Sequence, residues 1–239
     1  METLPRGDAG TWLEIGAGHG EMTELLATQG RRVVAVEADA KLAEVLRARA
    51  KDWRNVEIVA GDILRLDFKK IFPGKIRVYG NLPYYITSPI LHHLFEYADE
   101  IFSIHIVVQL EVAARIVAPP GRREYGYLSV LCQFYARPEI ALRLPPGAFR
   151  PPPRVNSALV QMTLPGNRAS LAIENVKEFL RFVQICFSQK RKTLRNNLRG
   201  IAPDKHIRER LAACGIHPEA RAEQLAGTEF GALFQAFQP

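Results

Sequence analysis

The 239-residue sequence predicts an α/β fold: an open, mostly parallel, Rossmann-like sheet of seven strands with helices on both faces, followed by a small all-α C-terminal domain. Three observations predict it. Short β-rich runs alternate with helix-period segments through the first two thirds of the chain. A glycine-rich turn, Gly16-Ala-Gly18-His-Gly20, joins the first strand to the first helix. Beyond the turn residues Pro165-Gly-Asn167 the period-2 pattern ceases and only helical patterning remains, which sets domains at 1–165 and 166–239.

In order, strands are expected at 11–17, 32–38, 56–62, 76–82, 103–110, 139–144 and 157–164, and helices at 21–29, 40–50, 88–97, 111–117 and 127–136. The second helix reads as an amphipathic stripe of Leu42, Val45 and Leu46. The last two strands are joined by Pro145-Pro-Gly-Ala-Phe-Arg-Pro-Pro-Pro-Arg-Val155, too poor in N–H donors for a strand or helix interior and therefore an ordered loop.

Composition narrows the class of protein. Hydrophobic residues at 47% and charged residues at 24% are those of a globular chain, and no apolar run approaches the roughly 18 residues a membrane span needs. Cys132, Cys186 and Cys214 are far apart, in no metal-ligand spacing; buried reduced thiols, a cytoplasmic location and no metal are expected. The first residues show no basic stretch followed by an apolar one, so no secretory signal is expected. A net charge of +7 points to a polyanionic partner, and the segment after Gly166 carries twelve basic residues against seven acidic ones.

Glu14-Ile-Gly16-Ala-Gly18-His-Gly20 brings backbone close to any ligand at a helix N-terminus, although glycines also serve tight strand-to-helix turns in proteins that bind nothing. The third glycine of a dinucleotide fingerprint is replaced by Glu21, which disfavours NAD. Glu37 closes the second strand, where a carboxylate accepts from ribose hydroxyls. Asp62, in Gly61-Asp62-Ile63, closes the third, where it can accept from an adenine amino group. Each is alternatively a cap or a solvated turn carboxylate. All three sites fall at the carboxyl edge of the sheet, where open α/β folds bind ligands.

The fourth strand ends in Asn81-Leu82-Pro83-Tyr84-Tyr85, which resembles the signature of adenine amino-methyltransferases. An aromatic amine is a poor nucleophile because its lone pair is delocalised into the ring. Acceptors placed at its N–H groups favour the pyramidal, reactive form: the Asn81 side-chain oxygen, with a backbone carbonyl from Leu82 or Pro83 in a turn fixed by the proline. Tyr84 would stack on an extruded base, with Phe149 as the opposite wall. Alternatively the segment is a turn with packed aromatics, and Phe149 is a core residue.

Together, Glu14 to Gly20, Glu37, Gly61-Asp62, Asn81 to Tyr84, Phe149 to Ser157, Phe187 to Arg195 and Arg221 to Leu225 resemble the KsgA (RsmA) family of ribosomal RNA adenine dimethyltransferases over nearly the whole chain. The resemblance implies a class I methyltransferase fold and S-adenosylmethionine as cofactor, held by Glu14, Gly16, Gly18, Gly20, Glu37, Ala38, Gly61, Asp62, Ile63 and Asn81. It implies dimethylation of two adjacent adenines near the 3′ end of small-subunit rRNA, on immature 30S subunits, by a monomer. Members of that family also carry, ahead of the first strand, a segment with Gly-Gln-Asn-Phe-Leu or a close variant that helps hold the methionine end of the cofactor; the 239 residues do not contain that motif.

A helix from Val176 is expected to face Phe179, Val183, Cys186, Phe187, Leu194 and Leu198 inward and to present Lys190, Arg191, Lys192, Arg195 and Arg199 as a cationic ridge that follows RNA phosphates; a merely solvated face is the alternative. Three other functions share parts of this pattern. An Erm-type large-subunit rRNA methyltransferase has the same core with a less similar basic tail. A DNA adenine methyltransferase usually carries an Asp- or Asn-Pro-Pro-Tyr/Phe motif and a separate recognition domain. A non-catalytic methyltransferase-fold assembly factor would bind RNA without transfer.

Overall fold

The structure is a computed structural model that describes residues 10–28, 32–83 and 86–238. Its seven strands are β1 (Thr11–Ile15), β2 (Arg32–Glu37), β3 (Val56–Ala60), β4 (Ile76–Asn81), β5 (Ile101–Gln109), β6 (Arg137–Leu144) and β7 (Ser157–Thr163). They form one seven-stranded sheet, the number the sequence pattern predicts, in the order β3-β2-β1-β4-β5-β7-β6. β1 to β5 pair in parallel and β7 runs antiparallel to β5. β1, β2 and β4 are buried almost throughout, as central strands covered on both faces must be.

The helices up to β6 are α1 (Glu21–Ala27), α2 (Ala40–Arg49), α3 (Phe68–Ile71), α4 (Thr87–Glu96), α5 (Leu110–Val117) and α6 (Tyr127–Tyr135). The last residue expected in α1, Gln29, lies outside the described residues. β1 stops at Ile15, two residues early, because Gly16, Gly18 and Gly20 all turn with positive φ. The stripe on α2 is corrected: Val45 is 52% exposed, while Ala43 and Leu46 are the fully buried positions. Ala43 and Leu46 share one face at i and i+3; Val45 projects away from it. Asp39 caps α2 by accepting from the N–H groups of Lys41 and Leu42. Asp39→Ala is therefore expected to cost about 1 kcal/mol, read as a lower urea midpoint at unchanged slope.

One side of the sheet is packed by Trp12, Leu26, Val33, Tyr79, Val107 and Leu159, with Phe149 partly buried against them. The same side carries a polar row across the strands, Glu14 opposite Tyr79 opposite His105 opposite Gln161. Burial makes Glu14, Tyr79 and His105 resist charge. The Tyr79 phenol is pushed up to about 12 by burial and by Glu14, and His105 is pushed down to about 4 by burial and by Arg77. The His105 ring meets the Ser103 hydroxyl through Nε2 at 3.0 Å and the Trp12 ring at 5.7 Å.

The chain divides into two compact units, 1–113 with 138–164, and 114–137 with 165–239. The last crossing between the units falls between Leu164 and Pro165, and 114–137 groups with the tail. Phe134 of α6 packs at a tilt against Phe179 of α7 (Val176–Cys186) at 5.2 Å, and Phe179 meets Phe234 of α10 (Gly227–Phe237) at 5.6 Å. Between these lie α8 (Leu194–Asn197) and α9 (Asp204–Ala213). Among the described residues, no helix is long and apolar enough to cross a membrane.

Candidate active site at the carboxyl edge of the sheet

The ends of β1, β2, β3 and β4 lie side by side, and the expected ligand residues stand there. Ile15 pairs with Val36 on one side and Gly80 on the other, and Glu37 pairs with Ala60. The glycine turn is fastened to β2: the N–H groups of Gly16 and Ala17 both donate to the Val36 carbonyl, at 2.9 and 3.3 Å. Gly18 has φ +55°, and a Cβ there would meet nothing within 4 Å, so its backbone borders open space. A Cβ on Gly16 would stand 3.8 Å from the Asn81 carbonyl, which puts the glycine turn beside the end of β4. Gly20, at φ +90°, begins α1, and a Cβ there would drive into Leu46 at 2.4 Å.

Glu37 is buried, and its carboxylate accepts from the Gly18 N–H at 2.8 Å and from the Asp39 N–H at 3.0 Å. It thus fixes the glycine turn as well as ending its strand, a role the sequence did not suggest. Asp62 caps a 3-10 turn over Ile63–Arg65 by accepting from Leu64 with one oxygen. Gly61 donates to the Glu37 carbonyl at 2.9 Å, Ala38 is exposed, and Ile63 is buried beneath. Arg49 was also missed: from α2 it donates to the His19 carbonyl at 2.8 Å and pairs with Glu24 at 2.7 Å, tying the turn to α1. Nothing in a helix-period pattern marks a surface arginine for such a contact.

Glu14 is 2% exposed, and its Oε2 has no hydrogen-bond partner. Burial, chiefly, raises its pKa to about 7, and the carboxylates of Glu21 and Glu37 push the same way; the Thr23 hydroxyl, close but outside regular hydrogen-bond geometry, eases it. An orphaned buried carboxylate oxygen beside a glycine turn fits a cationic group. The residues present therefore fit a nucleoside cofactor that also carries a positive charge.

At the end of β4 a cavity of about 250 Å³ is lined by Asn81, Leu82, Pro83, Phe149, Pro151, Pro153 and Ser157. The proline loop thus meets the Asn-Leu-Pro segment across one space. Leu82 is held rigidly: its N–H donates to the Val107 carbonyl at 3.1 Å and its side chain is buried. The Pro83 carbonyl is already occupied, by the Ile86 N–H at 3.1 Å and the Thr87 hydroxyl at 3.4 Å. Of the two carbonyls named from the sequence, that leaves Leu82 as the candidate acceptor. Tyr84 lies outside the described residues.

Residues 8–238 match the family described as ribosomal RNA adenine dimethylase. The chain belongs to that family. Relatives of this dimethylase include ribosomal RNA small subunit methyltransferase A of Acidobacterium capsulatum, 42% identical over all of this chain and 85% of the relative. That of Desulfitobacterium hafniense is 44% identical over 94% of this chain and 81% of the relative. Among solved structures, a dimethyladenosine transferase from Plasmodium falciparum superposes with a TM-score of 0.82 at 24% identity, covering 97% of this chain and 91% of that one. The 23S rRNA methyltransferase ErmE superposes at 0.72 and 25% identity, covering 99% and 94%. The Rossmann-like methyltransferase fold expected from the sequence is the fold of both.

The expected cationic ridge is corrected in the second unit. α7 ends at Cys186, and Lys190, Arg191 and Lys192 lie in the loop before α8, not on a continuous helix. Thr193, as cap of α8, and the buried Asn197, which donates to the Cys186 and Gln189 carbonyls, break the helical run. Arg195 stands apart from the others: its guanidinium meets Asp204 at 2.8 Å and Glu219 at 3.7 Å. Arg199 is exposed in the turn after α8. Cys132 and Cys186 are buried, and burial pushes both thiols far above the ordinary range.

Proposed function

We propose that this dimethylase transfers methyl groups from S-adenosylmethionine to the N6 amines of two adjacent adenines near the 3′ end of small-subunit rRNA, acting on immature subunits in the cytoplasm. The observation that carries the reading is the cavity at the end of β4, where Asn81 and Leu82 face the Phe149 loop beside the glycine turn. The relatives named as small subunit methyltransferase A support the choice of subunit.

The cofactor supplies a methyl group on a positively charged sulfur, which needs no further activation. The chain's residues bind, orient and exclude. Glu37 and Asp62 stand where ribose hydroxyls and an adenine amino group would be recognised, with Ala38, Gly61 and Ile63 around them, and Glu14 supplies a negative charge near the cationic end. In the cavity, the Asn81 side-chain oxygen and the Leu82 carbonyl accept the two N–H hydrogens of the target amine, which turns its lone pair toward the methyl carbon. When bound, the cofactor would supply that methyl group to the nitrogen and would keep the sulfur's electron pair as the neutral leaving group. The amine proton then leaves to water, so no side chain need act as base. Preorganised acceptors and in-line positioning account for the rate.

Phe149, half-buried on the proline loop, offers a face for the extruded base. Stacking of one base is worth about 1–3 kcal/mol, so Phe149→Ala is expected to lower kcat/KM about tenfold or more, while Phe149→Tyr retains most activity. Steady-state methylation of subunits checks it. The function itself is tested by supplying radiolabelled S-adenosylmethionine with immature small subunits and, separately, with naked large-subunit RNA. Label is expected on the small-subunit RNA alone; label on the large-subunit RNA would favour the Erm-type reading, and label on neither would favour an assembly factor.

A further inference from the structure

We propose that the turn Pro119-Pro-Gly-Arg-Arg-Glu124 joins the loop 188–192 in one phosphate-binding surface, on which Arg122 and Arg123 contact RNA. The inference rests on the RNA reading above and extends it to residues that no helical pattern suggested.

The two loops are far apart in sequence but adjacent in the second unit. The Lys190 ammonium donates to the Arg123 carbonyl. Each loop is anchored independently. In the first, Gly121, at φ +82°, donates to the Glu223 carbonyl at 2.7 Å, and the Tyr125 N–H donates to the Arg122 carbonyl at 3.1 Å. Tyr125 is buried edge-on to Phe187 at 6.0 Å, and Phe187 packs on Phe230 at 5.5 Å. In the second, Asn197 holds the Cys186 and Gln189 carbonyls, and the Lys192 N–H donates to Gln189 at 2.9 Å. Both loops are therefore held in shape, and little ordering entropy remains to be lost on binding.

Charge is distributed unevenly within this unit. Arg195 and Arg208 are paired with Asp204. Arg122, Arg123, Arg191 and Lys192 are exposed and make no ion pair with a carboxylate among the described residues, and Glu124 is the one acidic residue in either loop. Lys190 spends one donor on the backbone and keeps its charge at the junction. No exposed large apolar side chain lies in either loop, which separates the patch from a membrane-inserting or protein-docking surface. Exposed, unpaired cations on rigid backbone are the means by which proteins follow a phosphate chain without reading sequence.

The test is retention of immature small subunits by the full chain and by its Arg122→Ala/Arg123→Ala variant, across a salt series from about 50 to 200 mM. The variant is expected to bind about tenfold more weakly, with the slope of log affinity against log salt shallower by between one and two. Arg122→Lys/Arg123→Lys, which keeps the charges, is expected to restore that slope, and the melting temperature is expected to be unchanged in both. A slope equal to the parent's, whether or not affinity falls, would overturn the two-loop surface alone. A parent without salt-dependent affinity for the subunits would overturn the RNA reading as well.

Discussion

Asn81→Ala is expected to lower the rate of methyl transfer by about 100- to 1000-fold, the cost of removing one preorganised acceptor from a developing charge. Asn81 closes β4, the strand paired with β1 and β5, so its position is set by the sheet while its side chain is exposed toward the cavity. Truncation should therefore leave the fold intact and fall on kcat, because the lost interaction strengthens as the amine becomes pyramidal. Single-turnover methylation with saturating subunits reads this directly. A variant whose KM rises with kcat unchanged would mean that Asn81 binds the base without activating it.

Glu14→Gln is expected to raise stability at pH 8 by about 3 kcal/mol and to leave it unchanged near pH 4.5. Burial raises the Glu14 carboxyl from 4.5 to about 7 in the folded chain. The folded state therefore holds a proton that the unfolded chain releases between these values. Stability from this group is fully present below 4.5 and is lost as pH rises through 7; beyond that, the folded chain carries a buried charge whose Oε2 lacks a partner. A neutral amide of the same shape removes the loss. Urea unfolding of parent and variant from pH 4.5 to 8 gives the comparison, because other titrating groups cancel in the difference. A difference independent of pH would mean that Glu14 is already charged in the folded chain.

The sheet was legible because its code is local. Apolar runs at β1, β2 and β4 and glycines at positive φ carry their own reasons, and the Asn81 turn follows a strand whose end the pattern locates. What was not legible depends on contacts across sequence. The hold of Glu37 on the Gly18 N–H joins residues 19 apart, and the reach of Arg49 to His19 joins residues 30 apart. Neither leaves a periodic trace. The basic run read as helical because its spacing permits a helix; a buried amide at Asn197 and the Thr193 cap decided otherwise. α6 joined the tail for a similar reason, since its aromatic face finds Phe179 rather than a strand.

In the function proposed above, the cavity at the end of β4 presents an adenine amine for methylation. Mass spectrometry of nucleosides from small-subunit rRNA, after incubation of immature subunits with the chain and isotopically labelled S-adenosylmethionine, tests it most directly. Labelled N6,N6-dimethyladenosine is expected at two adjacent positions near the 3′ end and is expected to be lost with Asn81→Ala. Label on a ring carbon, on a ribose hydroxyl or on a pyrimidine, or undiminished dimethyladenosine in the variant, would contradict it.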